Sequence, residues 1–193
     1  TKVSINSIAK ENEIGSHNTV MKYLDGLESA FTINTFYQID ITNGRIKNKK
    51  DKKIYFTDPF IFHAMRSWAT GFRDPFDEAM EFNAKNEGMS NMVEMAVSNH
   101  LIRLSCGMNP SGLFSHHENV TFFRKKGKKW EVDFRIIDKG EILPIEVKYT
   151  NQIRREDLRG LFSLGRGLIL TKDLLKVDRK YVYLPVKYFL LLI

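Results

Sequence analysis

The chain has 193 residues, 42% of them hydrophobic, one cysteine, and 30 Lys+Arg against 23 Asp+Glu, for a net charge of +7 and a pI near 9.4. That length suits one domain or two small ones, and the positive balance favours polyanionic partners such as nucleic acid or, less specifically, an acidic protein face. A lone Cys106 excludes an internal disulfide framework and no Cys/His spacing suits zinc, while the apolar run from Tyr188 falls far short of the roughly 20 residues a membrane helix needs.

A soluble, cytoplasmic protein with no membrane partner is therefore expected, and a start without Met, inside a structured pattern, leads one to expect a fragment. Ser4 is placed as the N-cap of a short helix carrying Ile5, Ile8 and Ala9, and Glu13-Ile14-Gly15-Ser16 turns the chain into a second helix. There Val20, Tyr23, Leu24 and Leu27 recur at helical spacing, with Lys22, Asp25 and Glu28 facing outward. A strand over 31–41, a polar run from Asn43 to Lys53 and a strand at Ile54-Tyr55-Phe56 make a hairpin with a long basic tip. Helix, turn, helix and hairpin form a winged-helix arrangement over residues 1–58 whose first helix is missing.

Asp58-Pro59 opens a helical segment through Phe60, Phe62, Ala64, Met65 and Trp68, broken at Gly71 and Asp74-Pro75, so residues 59–88 read as a helical connector. Met92, Val93, Ala96, Val97, Leu101, Ile102 and Leu104 predict a helix from Met89 to about Gly107, and Glu94 lies on it. Strands follow over 120–124, 130–137 and 142–149 as a meander, then a polar helix over 152–164, strands over 167–171 and 181–184, and a short helix started by Pro185. The expected class is α/β in the α+β sense, with an α-β-β-β-α-β domain and a mixed sheet over residues 89–193.

Chemistry concentrates on the meander. Glu146 and Lys148 in Ile145-Glu146-Val147-Lys148 are two apart and share one face of their strand, with Ile145 and Val147 opposite. On the preceding strand Asp133 shares a face with Glu131, with Val132 and Phe134 on the other, and in an antiparallel hairpin the two acidic faces coincide. Asp133 and Glu146 are then candidate ligands for Mg²⁺ or Mn²⁺, with Glu94 completing the set or acting through a water, and Lys148 positions a nucleophile or neutralises phosphate charge. The alternative is that these carboxylates and Lys148 form a surface ion-pair ladder.

The helix Glu94, the strand Asp133 and Glu146-Val147-Lys148 resemble the motif of the PD-(D/E)XK nuclease superfamily. Adding the helix-turn-helix over 4–30, Lys53-Ile54-Tyr55-Phe56-Thr57-Asp58-Pro59, Val93-Glu94 and His100-Leu101, the chain resembles the C-terminal region of archaeal and bacterial AAA+-type ATPases: a winged helix followed by a nuclease-like domain of uncertain function. The resemblance implies a restriction-endonuclease-like fold over 89–193, catalytic roles for Glu94, Asp133, Glu146 and Lys148, an attached or partner ATPase module and possible oligomers. It leaves open a Mg²⁺-dependent DNA nuclease, an inactive nucleic-acid-binding module and a protein-interaction module. No G-x-x-x-x-G-K-[ST] occurs, so no ATP hydrolysis is expected of this chain.

DNA is the expected partner. Arg45, Lys47, Lys49 and Lys50, with Lys52 and Lys53, are candidates for phosphate contacts from the hairpin tip, unless that tip is simply a solvated loop. Lys125, Lys126, Lys128 and Lys129 could guide a strand toward Asp133, and His17, Asn18 and Lys22 could reach base edges if the second helix reads DNA rather than packing. Gln152, Arg154, Arg155 and Arg159 resemble the extra polar residues that nuclease relatives place near the site, but interleaved with Glu156 and Asp157 they read rather as a salt-bridged exposed helix, and His116-His117-Glu118 reads as a polar loop without zinc.

Overall fold

The computed structural model describes residues 2–71, 74–108, 116–125, 130–138 and 140–192. The chain divides into two compact units, Thr1–Thr35 with Lys50–Asn99, and Phe36–Lys49 with His100–Ile193. Among the described residues no helix is long and apolar enough to cross a membrane.

The first unit holds β1 (Lys2–Val3), α1 (Ile5–Glu11), α2 (His17–Ser29), the start of β2 (Ile33–Ile39), β3 (Lys52–Phe56), α3 (Pro59–Thr70), α4 (Pro75–Ala84) and the first part of α5 (Asn86–Met108). Ser4 and Ser16 cap α1 and α2 by accepting the N–H groups of Ser7 and Thr19, each satisfying a donor that a helix start leaves unpaired. Ile5, Val20, Leu24 and Ile33 are buried together, with Ile54 and Phe56 of β3 packed against them. Tyr23 and Leu27, expected on the apolar face of α2, are 62% and 44% exposed; Val20 and Leu24 alone are buried on that helix.

Asp58 and Asp74 each cap a helix that has Pro in its first turn, accepting the N–H of Phe60 and Phe76 at 2.6 and 2.8 Å. Asp74-Pro75 thus opens a helix where the sequence reads a break, because Pro is preorganised for a first helical turn. Between α3 and α4 the carboxylate of Glu78, 2% exposed, is held by His63 Nδ1 at 3.1 Å and by Arg66 Nε.

Lys52 and Lys53, read from sequence with the basic tip, are 0% and 3% exposed on β3. Lys52 Nζ donates to the Lys50 carbonyl at 3.0 Å, and burial pulls its ammonium down to about 8 against a weaker opposing pull from Asp51. The folded state therefore binds fewer protons than the unfolded chain between about pH 8 and the ordinary lysine value, and stability contributed by this group rises with pH across that window. Lys52→Met is expected to raise the melting temperature at pH 7 and to lose most of that advantage above pH 10, as followed by thermal denaturation at both pH values.

The second unit contains the end of β2, the rest of α5, α6 (His116–Asn119), β4 (Val120–Lys125), β5 (Trp130–Asp138), β6 (Glu141–Lys148), a 3-10 turn (Arg155–Leu158), α7 (Arg159–Leu164), β7 (Gly167–Thr171), β8 (Lys176–Val177), β9 (Tyr181–Pro185) and α8 (Val186–Leu190). Its strands run in the order β2-β4-β5-β6-β7-β9-β8. β4, β5 and β6 form the antiparallel meander, while β2 with β4, β6 with β7 and β7 with β9 are parallel. This is the mixed sheet of an α+β protein, as the sequence leads one to expect.

Val132, Phe123, Leu158, Leu161 and Ile169 are buried as one cluster where the 3-10 turn and α7 cover the sheet. The polar helix expected over 152–164 begins later. Thr150 Oγ1 accepts the N–H of Gln152, and Asp157 accepts that of Arg154, local bonds that compete with helix formation. α7 then docks closely: a Cβ on Gly160 would lie 2.4 Å from the Glu131 carbonyl oxygen and 2.8 Å from Val132 Cγ2. Because the nearest atom belongs to the backbone of a central strand, Gly160→Ala is expected to destabilise the fold by about 1–3 kcal/mol in chemical denaturation.

Candidate active site

β5 and β6 are paired from Asp138 opposite Glu141 to Phe134 opposite Ile145. On the other side of β5, Arg135 faces Thr121 and Val132 faces Phe123, so Asp133 and Phe134 together oppose the single residue Phe122. That two-against-one count is a β-bulge, which bends a strand and re-aims the side chains within it. Its effect is visible on both flanks. Val132 packs in the cluster with Leu161 and Ile169, whereas Phe134 meets Phe36 edge-on with ring centroids 5.7 Å apart. The strict alternation that puts Val132 and Phe134 on one face is thus interrupted at Asp133.

At the bulge the carboxylates reach across to the neighbouring backbone. Asp133 Oδ2 accepts the Val147 N–H at 2.9 Å, and Glu146 Oε2 lies 3.4 Å from the Asp133 nitrogen. Lys148 Nζ is 2.8 Å from Glu146 Oε1, as expected for residues two apart on one strand face. Glu146 is 4% exposed, while Asp133 and Lys148 are half-buried. Burial pushes the Lys148 ammonium down, but Glu146, Asp133 and Asp157 together outweigh it, and its pKa is raised. Lys148 consequently stays charged at neutral pH.

Asp157 is a member of this electrostatic group that sequence reading missed. It lies in the 3-10 turn beyond β6, and the pattern Arg154 to Arg159 reads as an exposed salt-bridged helix. Its two jobs, capping Arg154 and attracting Lys148, depend on how the chain returns to the sheet. Arg135 was also unmarked: it is 5% exposed, donates to Thr121 Oγ1 at 3.2 Å and has its pKa lowered by burial.

Glu94 belongs to the first unit. There its Oε1 accepts from Lys53 Nζ at 3.0 Å and from the Tyr55 hydroxyl at 2.5 Å, so the helix carboxylate and the buried end of the basic run form one polar network. Lys22, Arg45, Lys49 and Lys50 are exposed. Lys47 pairs with Asp40 at 2.9 Å, and that hydrogen bond, with the Thr42 N–H, brings the Asp40 carboxyl down to about 2. Lys125 is exposed at the end of β4, and Lys126, Lys128 and Lys129 lie outside the described residues. His116 and His117, expected in a loop, form a one-turn helix with their rings 4.1 Å apart.

No curated protein and no solved structure matches the chain. Residues 1–71 match the model of a domain of unknown function, DUF8612. Residues 89–188 match that of another domain of unknown function, DUF4143, which occurs in AAA-ATPase-associated proteins. Since that second match runs from within α5 into α8 and takes in more than half of the 193 residues, the chain belongs to the DUF4143 family.

Proposed function

We propose that this ATPase-associated chain is a Mg²⁺- or Mn²⁺-dependent nuclease whose phosphodiester-cleaving centre is Asp133, Glu146 and Lys148. The observation that carries the reading is the buried Glu146 carboxylate, paired with Lys148 at 2.8 Å beside a bulge that re-aims Asp133 toward the same strand. A buried ion pair is weak evidence for stability alone, since its desolvation offsets most of its Coulombic gain. Two carboxylates turned to one place by a sheet irregularity are better accounted for by chemistry than by packing.

The donor set fits a hard divalent cation, which takes oxygen ligands and keeps several waters. Asp133 and Glu146 would hold the ion, which when bound supplies Lewis-acid polarisation of a phosphate and a more acidic water. The Val147 N–H orients the Asp133 carboxylate. Lys148, charged at neutral pH, neutralises the phosphate oxygens as negative charge develops. Its raised pKa suits that role and disfavours proton abstraction. The same reading takes α1, α2 and the following hairpin as a winged helix, with exposed Lys22 on α2 available to a phosphate backbone.

The test is cleavage of plasmid, linear duplex and single-stranded DNA with Mn²⁺, Mg²⁺ or EDTA, comparing wild type with Asp133→Ala. Metal-dependent products that vanish in the variant support the reading. Equal cleavage by both proteins, or none on any substrate with either metal, refutes it.

A further inference from the structure

In the second unit two cavities meet at one aromatic side chain. The larger, about 790 Å³, is lined by Trp130, Arg154, Arg155, Arg159 and Phe162, with Glu156 and Ser163. The smaller, about 500 Å³, includes Trp130 and Ser163 again and adds Lys47, Arg124 and Lys125. Trp130 therefore stands between two sets of three cations. Against these six the linings carry two carboxylates, Asp40 and Glu156. Asp40 is bound by Lys47 at 2.9 Å, and Glu156 lies 3.6 and 3.8 Å from Arg154 and Arg159. Arg155 has no ion-pair partner among the described residues.

We propose that this groove binds single-stranded nucleic acid, with a base stacked on Trp130 and the backbone phosphates on the flanking arginines and lysines. Cations alone would suit any polyanion. An aromatic ring set midway along them selects a strand whose bases are unstacked and available, because a base in a duplex offers no face to a side chain. Trp130 is also held by its surroundings: it is paired with Lys125 across the β4–β5 ladder and, half-buried, packs against the apolar cluster that contains Val132 and Leu161. A held ring loses little freedom when a base stacks on it.

The groove adjoins the carboxylate site through one short element. Arg154 precedes the 3-10 turn, Arg155 and Glu156 begin it, and Asp157 in the same turn acts on Lys148. A strand lying over Trp130 and Arg155 would thus run beside the turn that helps to tune Lys148. The inference deepens the nuclease reading by naming its substrate as a single strand, and it rests on that reading only for where the strand is cut. Binding itself needs no metal.

The experiment is fluorescence anisotropy of labelled oligo-dT, oligo-U and a hairpin duplex with the full chain in EDTA, over a series of salt concentrations. Single strands are expected to bind more tightly than the duplex, and the tighter of the two single strands assigns DNA or RNA. Trp130→Ala is expected to weaken single-strand binding about 5- to 100-fold, with Trp130→Phe retaining most of the affinity. Replacing Arg154, Arg155 and Arg159 together by Ala is expected to reduce the slope of log K against log salt by about 2, since each phosphate contact on a single strand contributes roughly 0.7. These arginines are surface side chains, so that variant keeps the test decisive if Trp130→Ala fails to fold. Preference for the duplex, or unchanged affinity and slope in the arginine variant, overturns the proposal. Because EDTA excludes cleavage, that outcome would leave the role of Asp133 untouched, and absent cleavage would leave single-strand binding untouched.

Discussion

Asp133→Asn is expected to lower metal-dependent cleavage by about a hundred- to a thousandfold, on the scale of losing one electrostatic element of a preorganised site, roughly 3–4 kcal/mol in the barrier. Asparagine keeps the size of the side chain and an oxygen to accept the Val147 N–H, so the bulge and the 2.9 Å bond it supports should persist. What it removes is the negative charge that a cation requires. A fall in rate with unchanged thermal stability therefore separates loss of a ligand from loss of structure. Lys148 offers an internal control, because Asp133 is one of the groups that raise its pKa. The Lys148 ammonium should titrate at lower pH in the variant, observable by NMR of its side chain.

Glu78→Ala is expected to cost about 3 kcal/mol of stability, at the low end of the range for removing one member of a buried charged pair. Glu78 is 2% exposed and carries both His63 and Arg66 on its two oxygens. Arg66, with 40% of its side chain exposed, recovers much of its hydration when the carboxylate is lost. His63 is 9% exposed and does not, so it remains as a buried polar group short of a partner. Glu78→Gln keeps an acceptor for His63 and should lose less than Glu78→Ala. Urea denaturation of the two variants against wild type measures both values, and equal stability of all three would show that α3 and α4 are held by their apolar contacts.

The sequence makes the strand carrying Glu146 and Lys148 legible, because side chains two apart share a face whatever the strand pairs with. It makes the order of elements legible as well, down to Gly167–Thr171, whose run of Leu, Ile and Thr between Gly and Lys leaves little choice of boundary. The bulge at Asp133 is different. It is a property of β5 counted against β4, and nothing within Glu131-Val132-Asp133-Phe134 states how many residues the partner strand offers. Reading strict alternation there puts Val132 and Phe134 on one face, where the bulge separates their packing.

Lys52 and Lys53 fail for a related reason. A run of lysines reads as solvated, since burying an ammonium is costly without a partner, and the partner of Lys53 is Glu94, 41 residues away on a helix. The long separation hides the pairing from any local pattern. Tyr23 and Leu27 err in the opposite direction: helical spacing marks an apolar stripe wider than the core that receives it, so only Val20 and Leu24 are covered. In Arg154 to Arg159 the charges are read correctly, but their consequence depends on the non-helical turn at Thr150 to Arg154, fixed by side-chain bonds that compete with the helix.

The nuclease reading depends on Asp133 and Glu146 holding a divalent cation. Titration of Mn²⁺ into the full chain, followed by the electron paramagnetic resonance signal of the unbound ion, tests it without requiring a substrate. One ion bound by wild type and lost in both Asp133→Asn and Glu146→Gln is the expected result. Equal binding by all three proteins, or no binding by wild type, would contradict it.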